Sequence, residues 1–186
     1  MRAIVISGLP CVGKTTVAKI IAETFELPMT GGGDILKEMA IDRGYSAKGN
    51  DWWDGSEGMR FLKERETNPD FDKEADRRLA EKIKKGNVVI TSYTAPWITK
   101  EGFKVWLTGG TDKRAQRMAD RDNASAAECE RIIKIRDDEN RKLYMRLYGI
   151  DFGHDMEPFD LVVDTNEIEA AKVADIIIKK IKELKL

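Results

Sequence analysis

Gly8-Leu9-Pro10-Cys11-Val12-Gly13-Lys14-Thr15 is the stretch that decides the fold, and it follows directly on the apolar run Ala3-Ile4-Val5-Ile6. It matches the pattern G-x-x-x-x-G-K-[ST] in the context that the pattern requires, after a strand and at the start of a helix. Gly8 and Gly13 let the backbone curl so that successive N–H groups point at one phosphate. The stretch therefore predicts a nucleoside triphosphate site, the alternative being a Gly-rich turn that joins a strand to a helix.

The helix that follows adds charge to this site. Residues 15–22 have helical apolar spacing, and the positive N-terminal end of such a helix attracts phosphate. We expect Lys14 to reach the β- and γ-phosphate oxygens and the Thr15 hydroxyl to bind Mg²⁺. The residues predicted to bind the nucleotide are Gly8, Leu9, Pro10, Cys11, Val12, Gly13, Lys14, Thr15 and Thr16.

Length and composition narrow the class of protein. A chain of 186 residues suits a single α/β domain, and a net charge of −1 with a pI of about 6.0 disfavours nucleic acid as a partner. Cys11 and Cys129 form no C-x-x-C motif, which is typical of reduced thiols. We expect no signal peptide, no membrane partner and a cytoplasmic protein, because no apolar run approaches the ~20 residues that span a bilayer.

Strand and helix patterns alternate along the chain. After the first strand, short apolar or β-branched runs occur at residues 27–29, 88–91, 103–107 and 159–163. Helical patterns separate them at about 34–43, 59–66, 71–85, 111–122 and 125–147, and Asn166 is expected to cap a closing helix whose Val173, Ile176, Ile177 and Ile181 face the sheet. Ser125 and Glu128 predict a capping box. This order predicts a three-layer α/β/α fold with a mostly parallel sheet of about five strands.

Ligands of such sheets bind at the carboxyl ends of the strands. That edge should collect the phosphate loop, the turn at 31–34, the pair Ser92-Tyr93 and the turn at 108–110. We predict one domain over 1–186, with an acceptor-binding insertion at about 30–85 and a helical lid at about 114–146. Trp52-Trp53 is expected either to pin a loop to the core, which is the commoner use of aromatic pairs, or to form a lid over the acceptor.

Arginines form a second constellation. Arg114, Arg117 and Arg121 share one helix face, and Arg131, Arg136 and Arg141 follow on the next helix. Such arginines stabilise the negative charge of a phosphoryl group in transfer, and a kinase must close over its nucleotide to avoid hydrolysis. The alternative is a solvated surface on which the interleaved Asp and Glu residues pair with the arginines.

Taken in order, these segments resemble the archaeal type of cytidylate kinase. The resemblance is carried by the phosphate loop, Asp34-Ile35-Leu36-Lys37-Glu38, residues 72–78, 86–90 and 106–108, Arg114-Ala115-Gln116-Arg117, Tyr148-Gly149-Ile150-Asp151 and residues 160–163. It implies the fold of a nucleoside monophosphate kinase that transfers the γ-phosphoryl group of ATP to CMP or dCMP, as a monomer or small homo-oligomer. By position, Lys14, Arg117, Arg121 and Arg136 would be catalytic, and the acceptor side would contain Gly32, Gly33, Asp34, Lys37, Asp76 and Arg77 or Arg78. For Asp76 the alternative is plain pairing on a helix surface.

The acceptor side departs from the family pattern. Ser92-Tyr93 stands where the family has a Gly-Arg pair, and a tyrosine ring can stack on a base or donate one hydrogen bond but cannot hold a phosphate as a guanidinium does. No aspartate follows the third strand to assist Mg²⁺, so Asp34 would reach the metal through water or orient the acceptor. A kinase of another small metabolite and a nucleotide-binding regulator without an acceptor stay open as alternatives.

Overall fold

The computed structural model describes residues 1–46, 56–68 and 70–186. Within these ranges the chain forms five strands and eight helices. The strands are β1 (Ile4–Gly8), β2 (Met29–Gly31), β3 (Val89–Thr91), β4 (Phe103–Thr108) and β5 (Leu161–Asp164). The helices are α1 (Lys14–Phe25), α2 (Gly32–Asp42), α3 (Ser56–Thr67), α4 (Asp70–Lys85), α5 (Ala95–Ile98), α6 (Thr111–Asp122), α7 (Ala126–Tyr148) and α8 (Ala170–Leu184). Trp52-Trp53 lies outside the described residues.

The five strands form one sheet in the order β2-β3-β1-β4-β5, and every neighbouring pair is parallel. Parallel strands are buried on both faces, which suits the β-branched residues of β1 and β3. Because β1 pairs with β3 from Ile4 to Ile6 and with β4 from Ile4 to Gly8, the phosphate loop leaves the centre of the sheet. The predicted parallel α/β sheet is confirmed.

Helices cover the two faces of the sheet. On one face Ile4 and Ile6 pack with α1 and α8, and on the other Val5 packs with α2 and α4. This alternation along β1 follows from the two-residue period of a strand. The resulting three layers place the phosphate loop, and the loops that follow β2, β3 and β4, at one edge of the sheet.

Four details of the structure differ from the sequence-based assignment. The second strand begins at Met29 rather than Leu27, and the short helix α5 was not predicted. Glu169, not Asn166, precedes α8, because the Asn166 side chain instead accepts a hydrogen bond from the Gly110 amide at 2.6 Å. Ile176 is 44% exposed, and the buried face of α8 comprises Val173, Ala174, Ile177, Ile178 and Ile181.

Candidate active site

The phosphate loop turns sharply between β1 and α1. Gly8 has φ +148°, and a Cβ at this position would overlap the carbonyl oxygen of Leu107. Gly13, with φ +94°, precedes α1 and brings no side chain to cap it. The first amides of α1 therefore lack a side-chain acceptor from this position, which is the arrangement found where helix N-termini bind anions.

A cavity of about 910 Å³ opens in front of this loop, and we call it the loop cavity. Residues 10–17 form one side of it, and residues 165–170 after β5 form the other. Arg117 and Arg121 of α6, with Arg136 of α7, line it as well. Its volume falls in the range of pockets for ligands of nucleotide size.

Lys14 belongs to the phosphate loop and lines the loop cavity. Its Nζ donates hydrogen bonds to the carbonyl oxygens of Gly8 at 2.9 Å and of Leu9 at 2.8 Å. The same atom lies 4.6 Å from the ring centroid of Tyr93. Loss of solvation lowers the pKa of Lys14 to about 7, further lowered by Arg136 and Arg114 and partly offset by Cys11. A phosphate anion would favour the charged form of this amine.

The arginines divide into two groups. Arg117 donates from its two terminal nitrogens to the hydroxyl of Thr165, at 3.0 Å, and to the carbonyl oxygen of the same residue. Arg121 pairs with Asp122 at 2.6 Å, and both arginines, like Arg136, line the loop cavity. Other members of the constellation form ion pairs away from it, as the alternative interpretation expected: Arg131 with Glu128 and Arg141 with Asp151.

Arg114 is buried rather than presented to a ligand. It donates to both carboxylate oxygens of Asp137, at 3.0 and 2.7 Å, and to the backbone carbonyl oxygens of Gly109 and Pro10. Its side chain is 3% exposed. Arg114 therefore ties α6 to α7 and to the phosphate loop.

A second cavity of about 400 Å³ lies between α2, α4 and α7, and we call it the α2–α4 cavity. Gly32 and Gly33 line it from α2, Asp72 and Asp76 from α4, and residues 91–94 from the end of β3. The two cavities share three lining residues, Lys14, Thr15 and Tyr93. We call their meeting point the junction.

Asp76 is held at the wall of the α2–α4 cavity. Its carboxylate accepts a hydrogen bond from the Thr94 hydroxyl at 2.6 Å and another from the Tyr148 hydroxyl at 2.5 Å. Burial and the Asp76 carboxylate both raise the pKa of Tyr148. Thus Asp76 connects α4 with the end of α7, in addition to facing the cavity.

Comparison with known proteins identifies the family. The sequence profile of the cytidylate kinase-like family matches residues 3–167. This chain belongs to the cytidylate kinase-like family. It is 38% identical over 165 residues to a cytidylate kinase from Pyrococcus horikoshii, an alignment that covers 88% of this chain and 80% of the relative. It is also 36% identical over 168 residues to a cytidylate kinase from Pyrobaculum neutrophilum (89% and 85% covered) and 33% identical over 187 residues to one from Methanocaldococcus jannaschii (98% of each covered).

Solved structures agree with this family at the level of the fold. A shikimate kinase from Acinetobacter baumannii superposes with a TM-score of 0.60 at 19% identity, covering 100% of this chain and 96% of that one. A gluconokinase from Sinorhizobium meliloti gives 0.59 at 16% identity, covering 98% and 93%. The fold of this cytidylate kinase-like chain is therefore that of a P-loop kinase.

Several residues that the resemblance placed on the acceptor side do not line either cavity. Asp34 is exposed, and its carboxylate accepts a hydrogen bond from the Gly31 amide at 2.8 Å at the start of α2. Arg78 pairs with Glu74 and Asp42. Among the described residues, Lys37 is likewise absent from the lining of both cavities, whereas Gly32, Gly33, Asp76 and Tyr93 contribute to the α2–α4 cavity.

Part of the cytidylate kinase-like site was not predicted from the sequence. From α7, Asn140, Leu143, Tyr144 and Tyr148 line the α2–α4 cavity, and residues 165–170 line the loop cavity. Asn140, Tyr144 and Tyr148 recur every four residues, so they lie on one face of a helix. This four-residue spacing is visible in the sequence and could have predicted that the three side chains share one face. The loop at 165–170 has no comparable pattern.

Few side chains in the described part of the chain are placed to act as metal ligands. No group of three or more His, Cys, Asp or Glu side chains there is arranged so that it could hold a metal ion. Mg²⁺ in kinases keeps several waters and binds substrate phosphates with few protein ligands. Thr15, which lines both cavities, fits that pattern. Every helix within these same residues is too short or too polar to span a bilayer.

Proposed function

We propose that the protein transfers the γ-phosphoryl group of ATP to CMP or dCMP. The observation that carries this proposal is that two cavities of unequal size meet at Lys14, Thr15 and Tyr93. The larger one adjoins the phosphate loop, and the smaller one contains no part of that loop before Lys14. Membership of the cytidylate kinase-like family and relatives named cytidylate kinase support the choice of acceptor.

ATP would occupy the loop cavity. Its triphosphate would lie along the loop amides toward Lys14, with Arg117, Arg121 and Arg136 around the charged groups. In the transfer, an oxygen of the acceptor phosphate forms a bond to the γ-phosphorus while the bond to the β–γ bridging oxygen breaks, and ADP leaves with that electron pair. Lys14 and the arginines stabilise the charge that spreads over the moving group.

Mg²⁺ would be held by the Thr15 hydroxyl together with phosphate oxygens and water, and it would supply neutralisation of the β- and γ-phosphate charge. Residues around the junction set the direction of attack by holding both substrates there. Tight positioning of this kind is the main source of rate in phosphoryl transfer.

The charges of the α2–α4 cavity favour one orientation of the acceptor. Among the described residues that line it, Lys14 is the single cation, and it lies at the junction. Asp72 and Asp76 line the α4 side, where their carboxylates would repel a phosphate. The acceptor phosphate would therefore point to Lys14, and the nucleoside, whose hydroxyl and amino groups can donate hydrogen bonds, would lie against α4.

A coupled ADP-release assay tests the proposal. Purified protein with ATP and Mg²⁺ is offered CMP, dCMP, UMP, AMP, shikimate and gluconate in turn. We expect CMP or dCMP to stimulate ADP release well above basal hydrolysis. Stimulation by shikimate or gluconate alone would show that the acceptor is not a nucleoside monophosphate. ATP binding without stimulation by any compound would favour a nucleotide-binding regulator.

Lys14→Ala tests the site in the same assay, and Lys19→Ala provides the matched control. We expect Lys14→Ala to lower kcat by about 10²–10³-fold, the cost of removing one charged group that stabilises the transition state. Lys19→Ala removes an exposed lysine from the same helix, where Lys19 pairs with Glu23 at 4.0 Å, and should leave kcat unchanged. Equal activity of the two variants would exclude the loop cavity as the site of transfer.

We further propose a cytoplasmic enzyme that acts as a monomer or small homo-oligomer on small-molecule substrates. Both cysteines are free thiols, which suits a reducing compartment. Size-exclusion chromatography with light scattering would measure the oligomeric state directly.

A further inference from the structure

We infer that Tyr93 is a positioning residue for phosphoryl transfer, because its ring holds the Lys14 ammonium at the junction. The inference deepens the proposed function by giving this side chain a role toward Lys14 in addition to contact with the acceptor. Tyr93 lines both cavities, and its ring centroid lies 4.6 Å from Lys14 Nζ. The face of an aromatic ring attracts a cation at this distance.

Tyr93 is held both through its backbone and through its ring. The backbone carbonyl of Tyr93 accepts a hydrogen bond from the Ser7 hydroxyl at 3.2 Å, which links it to β1, the strand that leads into the phosphate loop. The ring packs edge to face against Phe152, with centroids 5.4 Å apart, and tilts against Tyr144 at 6.2 Å. Phe152 is 2% exposed, so this support belongs to a buried aromatic cluster.

Lys14 needs such support because its other contacts are local. Its Nζ donates hydrogen bonds to carbonyl oxygens of its own loop, those of Gly8 and Leu9. A lysine stem is flexible, with four rotatable carbons between backbone and charge. The ring comes from the loop that follows β3, and Tyr93, like Lys14, lines both cavities. It therefore restricts the ammonium to the position from which it can reach a phosphoryl group in transfer.

Two variants separate the ring from the hydroxyl. Tyr93→Phe keeps the ring and should retain kcat within about threefold of the wild-type value. Tyr93→Leu removes the ring and should lower kcat by about 10- to 30-fold, the equivalent of a desolvated cation–π contact. The Kd of ATP should change by less than about threefold in both variants, because the loop amides and the lysine charge persist.

Trp97→Leu is the matched control for packing. Trp97 belongs to the same aromatic cluster: its ring centroid lies 5.9 Å from that of Phe152 and 4.9 Å from that of Phe159. Trp97 lines neither cavity. It should leave kcat within about threefold of the wild-type value. A loss as large as that of Tyr93→Leu would assign the effect to the cluster and overturn the inference. Wild-type kcat in Tyr93→Leu, or an equal loss in Tyr93→Phe, would overturn it as well.

The assay also distinguishes this inference from the proposed function. Each variant is measured with ATP and CMP and, in parallel, for ATP hydrolysis without an acceptor. If the wild-type protein does not phosphorylate CMP, the proposed function fails. The hydrolysis rates of the four proteins then decide the role of Tyr93, since Lys14 faces the same γ-phosphate when water is the acceptor.

Discussion

Lys14 carries its charge where water solvates it poorly. Its Nζ is satisfied by two carbonyl oxygens and a ring face, and the pKa of about 7 reflects the lost hydration. A bound triphosphate would add negative charge beside this amine and raise its pKa. Nucleotide binding should therefore be coupled to proton uptake.

The affinity for ATP should fall as the pH rises above about 7. The free protein then loses the Lys14 proton, whereas the complex keeps it, so binding must first restore the charge. The Kd should increase by up to about tenfold per pH unit until the pKa of the complex is reached. Isothermal titration calorimetry from about pH 7 to pH 9 measures this dependence. In Lys14→Arg, whose guanidinium stays charged, the slope should disappear; an unchanged slope would place the titrating group elsewhere.

Gly8 and Gly13 should respond differently to alanine. At Gly8 an added methyl group meets the Leu107 carbonyl oxygen and a positive φ, so Gly8→Ala should lower the free energy of unfolding by about 2–5 kcal/mol. At Gly13 there is open space around the position of a Cβ, and only the φ of +94° opposes the substitution, which should cost about 1–2 kcal/mol. Urea denaturation compares the two variants. Similar losses would contradict the close approach of Gly8 to β4.

These residues show why the loop could be predicted from local spacing, whereas its surroundings could be predicted only from the sheet edge and the family resemblance. Gly8, Gly13 and Lys14 occur at fixed spacing within one short segment, so local sequence defines them. Tyr93, Arg117 and Arg136 reach the same cavity from three other segments. Their convergence depends on the packing of whole helices, which no spacing in the sequence records.

Between α6 and α7, the buried pair of Arg114 and Asp137 is the main polar connection. Asp137→Ala should lower the free energy of unfolding by about 3–5 kcal/mol, because it leaves a buried guanidinium without its carboxylate. Glu130→Ala, on the same helix, removes the exposed pair with Lys134 and should cost less than about 0.5 kcal/mol. Thermal or urea unfolding measures both. Equal effects would show that Arg114 finds another partner.

Element types were more predictable than element ends. Of the capping box predicted at the start of α7, the Ser125 half is confirmed: the Ser125 hydroxyl accepts a hydrogen bond from the Glu128 amide at 3.2 Å, whereas the Glu128 carboxylate pairs with Arg131. This signal lies within four residues. Asn166 is also a residue type that commonly caps helices. Its side-chain oxygen instead accepts a hydrogen bond from the Gly110 amide, 56 residues away in the sequence. Whether a side chain caps a helix therefore depends on hydrogen-bond donors that are distant in the sequence.

The same limit applies to α5 and to the face of α8. Residues 95–98 form one turn of helix because the Ser92 hydroxyl accepts hydrogen bonds from the amides of Thr94 and Ala95, and a turn this short has no periodicity to detect. The apolar pattern of α8 includes Ile176, but α8 packs on α1 along the neighbouring stripe, and Ile176 remains exposed.

For the molecule as a whole, the sheet edge brings the parts of the site together. The strands β1, β3 and β4 end side by side, so the phosphate loop, Tyr93 and the turn before α6 adjoin one another. The parallel sheet and its ligand-binding edge follow from the alternation of strands and helices in the sequence. The strand order β2-β3-β1-β4-β5 does not, because it depends on which helices pack on which face.

ATP should stabilise the entire domain. With Mg²⁺ and ATP at about 100 times its Kd, linkage adds about 2.7 kcal/mol to the free energy of unfolding. For a chain of this size we expect Tm to rise by about 5–10 °C in differential scanning fluorimetry. Lys14→Ala should show a much smaller rise at the same ATP concentration, while its Tm without ATP should not fall. No rise in the wild-type protein would argue against ATP binding.

Within the described residues, the two cavities share the side chains of Lys14, Thr15 and Tyr93 alone, and this has an evolutionary consequence. Residues of α2, α4 and α7 on the acceptor side can diverge without disturbing the half that handles the triphosphate. A lineage could thus exchange one acceptor for another by altering a separable module.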